Sequence, residues 1–273
     1  MRVIEFLVRS QLLLRLWLLL LGLGVCSLLW NLVAWLLYPL LPADSGRNVG
    51  RAGITYGYRF FWFWARLIGV VRIESAALDA LAREPGGMII VANHPSMLDA
   101  LAIAARLPRS FCIMKASLLR NPFLGAGARL ARYIGNDSPH SMLRSIVANL
   151  RQGGQLILFP EGTRTVDGRL NRLRPGVNTI AQRAGVPIQT VLIAAESTYL
   201  AKGWPIWKLP PDPIVFRIWL GRRFEPDVDH QAVLARLEAY FRQELAHPAS
   251  AQRASPTATT AATAAGVAAR SGK

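Results

Sequence analysis

The stretch MIIVANHPSMLDALAIAAR, residues 88–106, decides the fold class. Its first five residues form a short apolar run that is typical of a buried strand, and a helical pattern follows from Pro95 to Arg106. A strand that passes almost directly into a helix is the repeating unit of parallel sheets. The stretch therefore predicts an α/β domain.

The same alternation continues to residue 246. Further strands are predicted at 111–114, 156–159, 186–194 and 213–221, and further helices at 141–151, 178–184 and 231–245. We expect a mostly parallel central sheet flanked by helices over residues 73–246. Functional side chains of such sheets gather where parallel strands end, so His94 and Glu161 should share one edge.

An apolar segment precedes this domain. No charged side chain occurs from residue 16 to residue 41, and a helix needs roughly 20 apolar residues to cross a bilayer. A cleaved signal peptide has a shorter apolar core, so we expect a membrane-embedded helical segment. It either crosses the bilayer or bends at Gly22, Gly24 or Asn31 and returns to the same side.

The aromatic-rich residues 54–71 predict an interfacial helix with Arg59 and Arg66 reaching the headgroups, so the membrane-associated segment extends over residues 1–72. The formal net charge of +16 calls for an anionic partner. Because the basic residues are dispersed, a phospholipid membrane fits better than nucleic acid. The tail, residues 247–273, contains almost no large apolar side chain, and we expect it to be disordered.

His94 and Asp99 support two interpretations. Ser96 and Asp99 fit the Ser-x-x-Asp pattern of a capping box at a helix start, which is the commoner use of these residues. Alternatively, Asp99 orients the His94 imidazole and favours its protonated form, so that His94 removes a proton from a substrate hydroxyl. The two interpretations are compatible, since Ser96 can cap the helix while Asp99 serves His94.

A second cluster of polar residues follows the strand predicted at 156–159. In FPEGTRT, residues 159–165, glycine permits close approach of backbone N–H groups and arginine offers a planar fork that matches phosphate. An ordinary turn with solvated charges explains it equally well. Lys115, after another predicted strand, and Arg174, in a run with Arg169 and Arg172, could also meet an anion.

Together, NHPSMLD and the later FPEGTR resemble the motifs of the 1-acylglycerol-3-phosphate acyltransferase family, over residues 73–225. The family motif Asn-His-x-Ser-x-x-Asp is matched at Asn93, His94, Ser96 and Asp99. The motif Phe-Pro-Glu-Gly-Thr-Arg is matched by residues 159–164. The membrane-associated N-terminal helices of that family also have a counterpart here.

The resemblance implies that His94, oriented by Asp99, deprotonates a hydroxyl that attacks a fatty acyl thioester of coenzyme A or acyl carrier protein. The implied acceptor is a lysophospholipid, 1-acylglycerol-3-phosphate, and the product is phosphatidic acid. Arg164 would hold the acceptor phosphate, and the residues implied to bind the substrate are Asn93, Ser96, Lys115, Glu161, Gly162, Thr163, Arg164 and Arg174. No cluster of metal ligands and no nucleotide-binding glycine motif occurs, so we expect neither a metal nor a bound cofactor.

Two motifs depart from the family pattern. Ser117 replaces a glutamate and Ser138 replaces an arginine that binds phosphate, and Arg132 or Arg174 would have to compensate. Thr190 stands where the fourth motif has proline. Two alternatives stay open, an acyltransferase for a different acceptor in a specialised lipid or pigment-linked pathway and a catalytically degenerate membrane adaptor.

Two further expectations concern location. The two cysteines do not make a disulfide framework, which favours a reducing compartment. We therefore expect the inner (cytoplasmic) membrane, with the active site facing the cytoplasm. Arg2, Arg9 and Arg15 precede the apolar segment and Arg47 and Arg51 follow it, a slight positive-inside bias that, taken literally, puts the domain on the other side. Residues 201–213, with Trp204 and Trp207 beside lysines, predict either an interfacial anchor or a loop packed on the domain.

Overall fold

The computed structural model describes residues 2–165, 170–197, 199–209 and 214–246. The tail for which disorder is predicted and Arg169 lie outside these residues. The strands are β1 (Val71–Glu74), β2 (Met88–Ala92), β3 (Ser110–Met114), β4 (Ile134–Gly135), β5 (Gln155–Leu158), β6 (Ile188–Ala195) and β7 (Ile214–Phe224). The helices are α1 (Arg2–Leu37), α2 (Ala43–Leu67), α3 (Asp79–Arg83), α4 (Asp99–Ala104), α5 (Gly125–Leu130), α6 (Pro139–Arg151), α7 (Val177–Ala184) and α8 (His230–Ala246). Two short 3-10 helices, Ala76–Leu78 and Ala116–Arg120, complete the described elements.

The seven described strands form one sheet in the order β1-β7-β6-β2-β5-β3-β4. All neighbouring strands are parallel except β6 and β7, which are antiparallel. The predicted mostly parallel sheet flanked by helices is confirmed. Because β2 and β5 are adjacent and parallel, the residues that follow them lie side by side at one edge, which we call the functional edge.

Strand β2 is buried on both faces, which explains its continuous apolar run. Met88, Ile90 and Ala92 belong to a core that includes residues of α1, α2 and α4. Ile89 and Val91 point to the opposite face and join a core with α6, α7 and α8. The alternation of side chains along a strand thus distributes one segment between two cores.

The N-terminal segment is a helical hairpin. Among the described helices, α1 is the one that is long and apolar enough to cross a membrane, and little of it is buried, which indicates membrane association. It runs without interruption through Gly22, Gly24 and Asn31, so the bend considered at those residues is not there. The chain turns instead at residues 38–42 and returns as α2. Helix α2 starts and ends earlier in the sequence than the predicted 54–71 helix.

One small residue joins the two helices of the hairpin, and one polar residue fastens the hairpin to the domain. Gly22 packs against the Trp64 indole, where a Cβ atom would come within 2.6 Å of Nε1. Asn31 accepts hydrogen bonds from the backbone N–H groups of Ala126 (2.8 Å) and Gly127 (3.1 Å) and donates to the Phe123 carbonyl. These are unpaired donors at the start of α5, so Asn31 caps that helix rather than bending its own.

Other predicted boundaries also change. The helix expected from residue 95 to residue 106 is confined to Asp99–Ala104, because residues 95–98 form a turn that brings Asp99 back towards His94. Residues 71 and 72, assigned to the membrane segment, begin β1 and pair with Ile214 and Val215 of β7. This four-residue strand and the two-residue β4 are too short to give a sequence pattern.

Candidate functional site

His94 and Asp99 form a hydrogen-bonded pair at the functional edge. His94 follows the last residues of β2, and Asp99 is the first residue of α4. The distance from His94 Nδ1 to Asp99 Oδ2 is 3.0 Å, and Asp99 is fully buried while the imidazole is partly exposed. Because a carboxylate accepts, Nδ1 donates the hydrogen, and Nε2 is the ring nitrogen that remains to take a proton.

The same Asp99 oxygen also serves the helix start. Oδ2 accepts the backbone N–H of Ser96 at 2.8 Å, which is the carboxylate half of a capping box. The Ser96 hydroxyl accepts the backbone N–H of Leu98 (3.3 Å) and donates to the Tyr199 carbonyl (2.9 Å). One carboxylate therefore holds both the turn and the imidazole, and Ser96 faces the β6–β7 loop rather than a substrate.

Burial strongly influences the electrostatics of this pair. Desolvation raises the pKa of the Asp99 carboxyl to about 6, while the hydrogen bonds from the His94 ring and the Ser96 amide act in the opposite direction. Asp99 Oδ1 is buried and has no hydrogen-bond partner among the described residues. Above about pH 6 the site therefore holds a buried carboxylate whose charge an imidazolium would offset.

Glu161 follows β5, and its carboxylate supports the His94–Asp99 pair. Both carboxylate oxygens accept two hydrogen bonds each. Its Oε1 accepts the His94 backbone N–H (3.0 Å) and the Thr165 hydroxyl (2.9 Å). Its Oε2 accepts the backbone N–H (2.9 Å) and the side-chain amide (2.8 Å) of Asn171. The buried Glu161 thus fixes the backbone of His94 and the turn after β5, and it has no oxygen left for a ligand.

The imidazole lies on the wall of a large cavity. His94 stacks on Phe159, with ring centroids 4.1 Å apart and 20° between the planes. The cavity has a volume of about 880 Å³, and much of its wall is apolar and comes from α1 and α2, including Leu23, Trp30, Ile54, Tyr58 and Phe61. A lipid chain fits such a space, and the membrane-associated hairpin is therefore part of the site.

Basic and polar side chains line the same cavity. Lys115, at the end of β3, Thr163 and Arg174 all contribute to its wall. Gly162 has a φ of +68°, and an added Cβ atom would overlap the Arg174 guanidinium. The motif glycine thus admits both a left-handed backbone and the close approach of Arg174.

Comparison with known proteins finds related acyltransferases. The family model described as Acyltransferase matches residues 72–194. The 1-acyl-sn-glycerol-3-phosphate acyltransferase of Pseudomonas aeruginosa is 24% identical over 188 residues, which cover 67% of this chain and 71% of that protein. Residues 72–194 therefore form an acyltransferase domain, and this part of the chain is similar to 1-acyl-sn-glycerol-3-phosphate acyltransferases. The lyso-ornithine lipid O-acyltransferase of the same organism is 31% identical over 138 residues, covering 49% of this chain and 52% of that protein.

A solved structure shares the fold of this acyltransferase. The 1-acyl-sn-glycerophosphate acyltransferase PlsC of Thermotoga maritima superposes with a TM-score of 0.66 and 22% identity, covering 90% of this chain and 96% of that chain. Among the curated relatives compared, the matched part covers between 45% and 71% of the relative's own length.

Two motif residues of the acyltransferase are turned away from the cavity. The Asn93 side chain forms a reciprocal pair with the Ile193 backbone, donating to its carbonyl (2.8 Å) and accepting its N–H (2.8 Å). Arg164 Nη1 donates to the carbonyls of Leu200 (2.8 Å) and Ala201 (3.1 Å). Asn93 thereby joins β2 to β6, and Arg164 joins the turn after β5 to the β6–β7 loop.

The altered middle motif lies beside the cavity wall, to which Asn136 and Pro139 contribute. Ser138 is exposed and occupies the position before α6, whose first residue is Pro139. Asn136, which lines the cavity, accepts the Ala116 backbone N–H at 3.1 Å. The arginine that the family pattern places at 138 is thus replaced by a residue that begins a helix, and Arg174 is a cation on the cavity wall.

Both cysteines, Cys26 of α1 and Cys112 of β3, also line the cavity of the acyltransferase. Burial raises the pKa of the Cys112 thiol to about 12, so the thiol stays protonated at neutral pH. A protonated thiol is a poor nucleophile, which leaves the His94–Asp99 pair as the better candidate for the chemistry.

The structure places in the site several residues to which the sequence analysis assigns no role. Phe159 begins the second motif and stacks on His94. Its place at the edge of the sheet where His94 was also predicted is the signal that could have identified it. Asn171 reaches Glu161 across a turn, and the cavity residues of α1 come from a distant segment. Neither type of contact leaves a local pattern.

Proposed function

We propose that this acyltransferase moves a fatty acyl group from an acyl thioester to the hydroxyl of 1-acylglycerol-3-phosphate and forms phosphatidic acid, with His94 as the general base. The observation that carries the proposal is the His94–Asp99 pair, 3.0 Å apart, on the wall of a cavity of about 880 Å³. The names of the relatives, which are 1-acyl-sn-glycerol-3-phosphate acyltransferases, support the choice of substrate.

The chemistry follows from the free ring nitrogen. His94 Nε2 takes the proton of the acceptor hydroxyl while the hydroxyl oxygen attacks the thioester carbonyl carbon. The tetrahedral intermediate collapses as the carbon–sulfur bond breaks, and the imidazolium returns the proton to the leaving thiolate. Asp99 stays ionised, fixes the Nδ1–H tautomer and stabilises the imidazolium that forms between the two steps. No acyl-enzyme is needed.

The acceptor phosphate would meet two cations of the cavity wall. Arg174 supplies a planar guanidinium beside Gly162, and Lys115 supplies an ammonium at the end of β3. Glu161, Asn93, Ser96 and Arg164 act on the site through the backbone, since their side chains bond to the protein. Gly162 and Thr163 line the cavity and would contact the acceptor directly.

The donor and the compartment belong to the same proposal. A thioester of coenzyme A or acyl carrier protein brings an acyl chain that suits the apolar part of the cavity. The α1 helix would hold the enzyme at the inner membrane with the functional edge on the cytoplasmic side, where both donors are made.

The test is acyl transfer by purified full-length protein in mixed micelles. Labelled acyl-CoA and acyl carrier protein thioesters are offered with 1-acylglycerol-3-phosphate, and phosphatidic acid is quantified. We expect a His94→Ala variant to lose about 10³-fold or more in rate. His140→Ala, which removes an exposed histidine of α6, should keep the rate. Full activity of His94→Ala would refute the assignment, and absence of product with every donor would favour the adaptor alternative.

A second acceptor is favoured by one observation. Ser138 replaces the arginine of the family pattern, and the relative at 31% identity is named as a lyso-ornithine lipid O-acyltransferase. An acceptor without a phosphomonoester has less need of that arginine. The same assay with lyso-ornithine lipid as acceptor separates the two, and Arg174→Ala should raise KM for 1-acylglycerol-3-phosphate much more than for lyso-ornithine lipid.

A further inference from the structure

The loop between β6 and β7 is described over residues 196–197 and 199–209. Its backbone holds the turn at residues 95–98, which we call the catalytic turn. The Tyr199 carbonyl accepts the Ser96 hydroxyl (2.9 Å), and the Leu200 carbonyl accepts the Met97 N–H (3.1 Å). The Leu200 and Ala201 carbonyls also accept Arg164 Nη1. Three consecutive carbonyls are therefore bonded to the turn between His94 and Asp99 and to the segment after β5.

The outer part of this loop is folded rather than loose. Trp204 packs edge-on against the buried Tyr199 ring, with centroids 6.2 Å apart. Its Nε1 donates to the Lys208 carbonyl (3.3 Å), and the Lys208 ammonium lies 4.3 Å from the centre of the indole. Of the two predicted interfacial tryptophans, Trp204 thus packs on the domain, as the alternative interpretation had it.

The loop tip exposes two large apolar side chains. Ile206 is 40% exposed and Trp207 is 67% exposed, and the exposed Lys202 and Lys208 flank them. Apolar side chains held on an ordered turn between lysines have the composition of a surface that enters the headgroup region of an anionic bilayer.

The tip lies on the same side of the molecule as the end of the hairpin. Helix α2 ends at Leu67, and β1 begins at Val71, which pairs with Ile214, the first residue of β7. Because β7 is antiparallel to β6, Ile214 lies beside the end of β6, from which the loop emerges. The end of α2, the loop and His94 therefore share the functional edge.

The apolar surface of the hairpin continues at this edge. Phe63 and Leu67 of α2 are exposed, and the Arg15 guanidinium of α1 lies beside Gly69. Since α1 and α2 are antiparallel, the residues of α1 before Arg15 continue past the end of α2, and Val3, Ile4, Phe6 and Leu7 are exposed there. One bilayer can thus contact the hairpin and the loop tip together.

We propose that the loop tip is a bilayer-docking surface, in which Ile206 and Trp207 enter the headgroup–acyl boundary and Lys202 and Lys208 bind anionic phospholipid headgroups. When the tip is docked, the carbonyls of residues 199–201 keep their hydrogen bonds to the catalytic turn and to Arg164. Membrane contact at the tip therefore helps to hold His94 in position. The proposal uses no substrate chemistry and stands whichever acceptor is correct.

The test places a fluorescent label at the tip. The full-length Trp207→Cys variant is labelled with an NBD thiol reagent and reconstituted into nanodiscs of phosphatidylcholine and phosphatidylglycerol. Val228→Cys is the matched control, because Val228 is 82% exposed and lies after Phe224, which pairs with Ile188 at the opposite edge of the sheet. The unmutated chain, treated in the same way, gives the background from Cys26 and Cys112.

We expect the label at position 207 to shift its emission to the blue, to be quenched by doxyl-labelled lipid and to be shielded from iodide. The label at position 228 should show the reverse. A label at 207 that iodide quenches as strongly as the label at 228 would overturn the docking surface.

A second comparison tests the headgroup contact. In the Lys202→Gln/Lys208→Gln background, or in nanodiscs of phosphatidylcholine alone, the blue shift at position 207 should be lost or reduced. An unchanged shift in both would refute recognition of anionic headgroups. Ile206→Cys repeats the measurement at the neighbouring side chain. Because the readout is the position of the label, it does not depend on whether the proposed reaction is correct.

Discussion

Replacing Asp99 with asparagine separates the catalytic role proposed for its charge from its structural role. An amide oxygen can still accept the Ser96 N–H, so the turn before α4 keeps its hydrogen bond. The variant can no longer stabilise a protonated His94. Loss of the buried carboxylate from a catalytic histidine typically lowers kcat by about 10⁴-fold, and we expect a fall of about 10³ to 10⁴ here.

The same substitution should change how stability depends on pH. Burial raises the pKa of Asp99 from 3.8 to about 6, and this difference corresponds to about 3 kcal/mol, at roughly 1.4 kcal/mol for each pKa unit. Because the folded-state pKa is the higher one, the folded chain binds the proton more tightly. The contribution of Asp99 to the free energy of unfolding is therefore greatest below pH 3.8 and is lost as the pH rises through about 6.

Two assays test this reasoning on wild type and Asp99→Asn. Acyl transfer in micelles gives kcat, and denaturant unfolding at about pH 4 and about pH 8 gives the free energy of unfolding. We compare the free energy of unfolding of the variant with that of wild type at each pH. From about pH 4 to about pH 8, the value for the variant should rise relative to wild type by up to about 3 kcal/mol. Comparing the two pH values removes any constant effect of the new amide. A difference that does not depend on pH, or a kcat within about tenfold of wild type, would refute the argument.

Three further outcomes follow from the site. The kcat/KM of wild type should fall on the acid side of about pH 6, as Asp99 takes up a proton, and a profile that is flat down to pH 5 would contradict this. Gly162→Ala should displace Arg174 and raise KM for the acceptor about tenfold or more, whereas Gly86→Ala, also at positive φ but with open space around it, should leave KM unchanged. Asn31→Leu should lower the free energy of unfolding by about 2 kcal/mol, because two N–H groups at the start of α5 lose their acceptor; an unchanged melting temperature in detergent would refute it.

Local patterns in the sequence were sufficient for most of the architecture of the domain. The apolar run at 88–92 and the later short runs predicted five of the seven described strands, and the helical stretches between them predicted a mostly parallel sheet, which the structure confirms. The positions of His94 and Glu161 after two such strands also placed them at one edge. These predictions succeed because strand burial and strand–helix alternation leave their pattern within a few neighbouring residues.

The shape of the membrane-associated hairpin could not be read in the same way. A leucine-rich run shows that α1 is apolar on all sides, and glycines within it suggested a bend. In the structure those positions stay helical, since Gly22 accommodates Trp64 and Asn31 bonds to α5. The turn lies instead at residues 38–42, and only the packing partners distinguish the two possibilities.

The sequence by itself determined which chemical groups this acyltransferase possesses, a histidine with a carboxylate five residues later and a set of cations near the ends of strands. Only the tertiary structure decided which of them face the cavity. Glu161 bonds to the backbone of His94 across 67 residues, and Ser96 bonds to Tyr199 across 103 residues. The direction of a side chain depends on partners brought close by folding, and no local pattern records contacts at that separation.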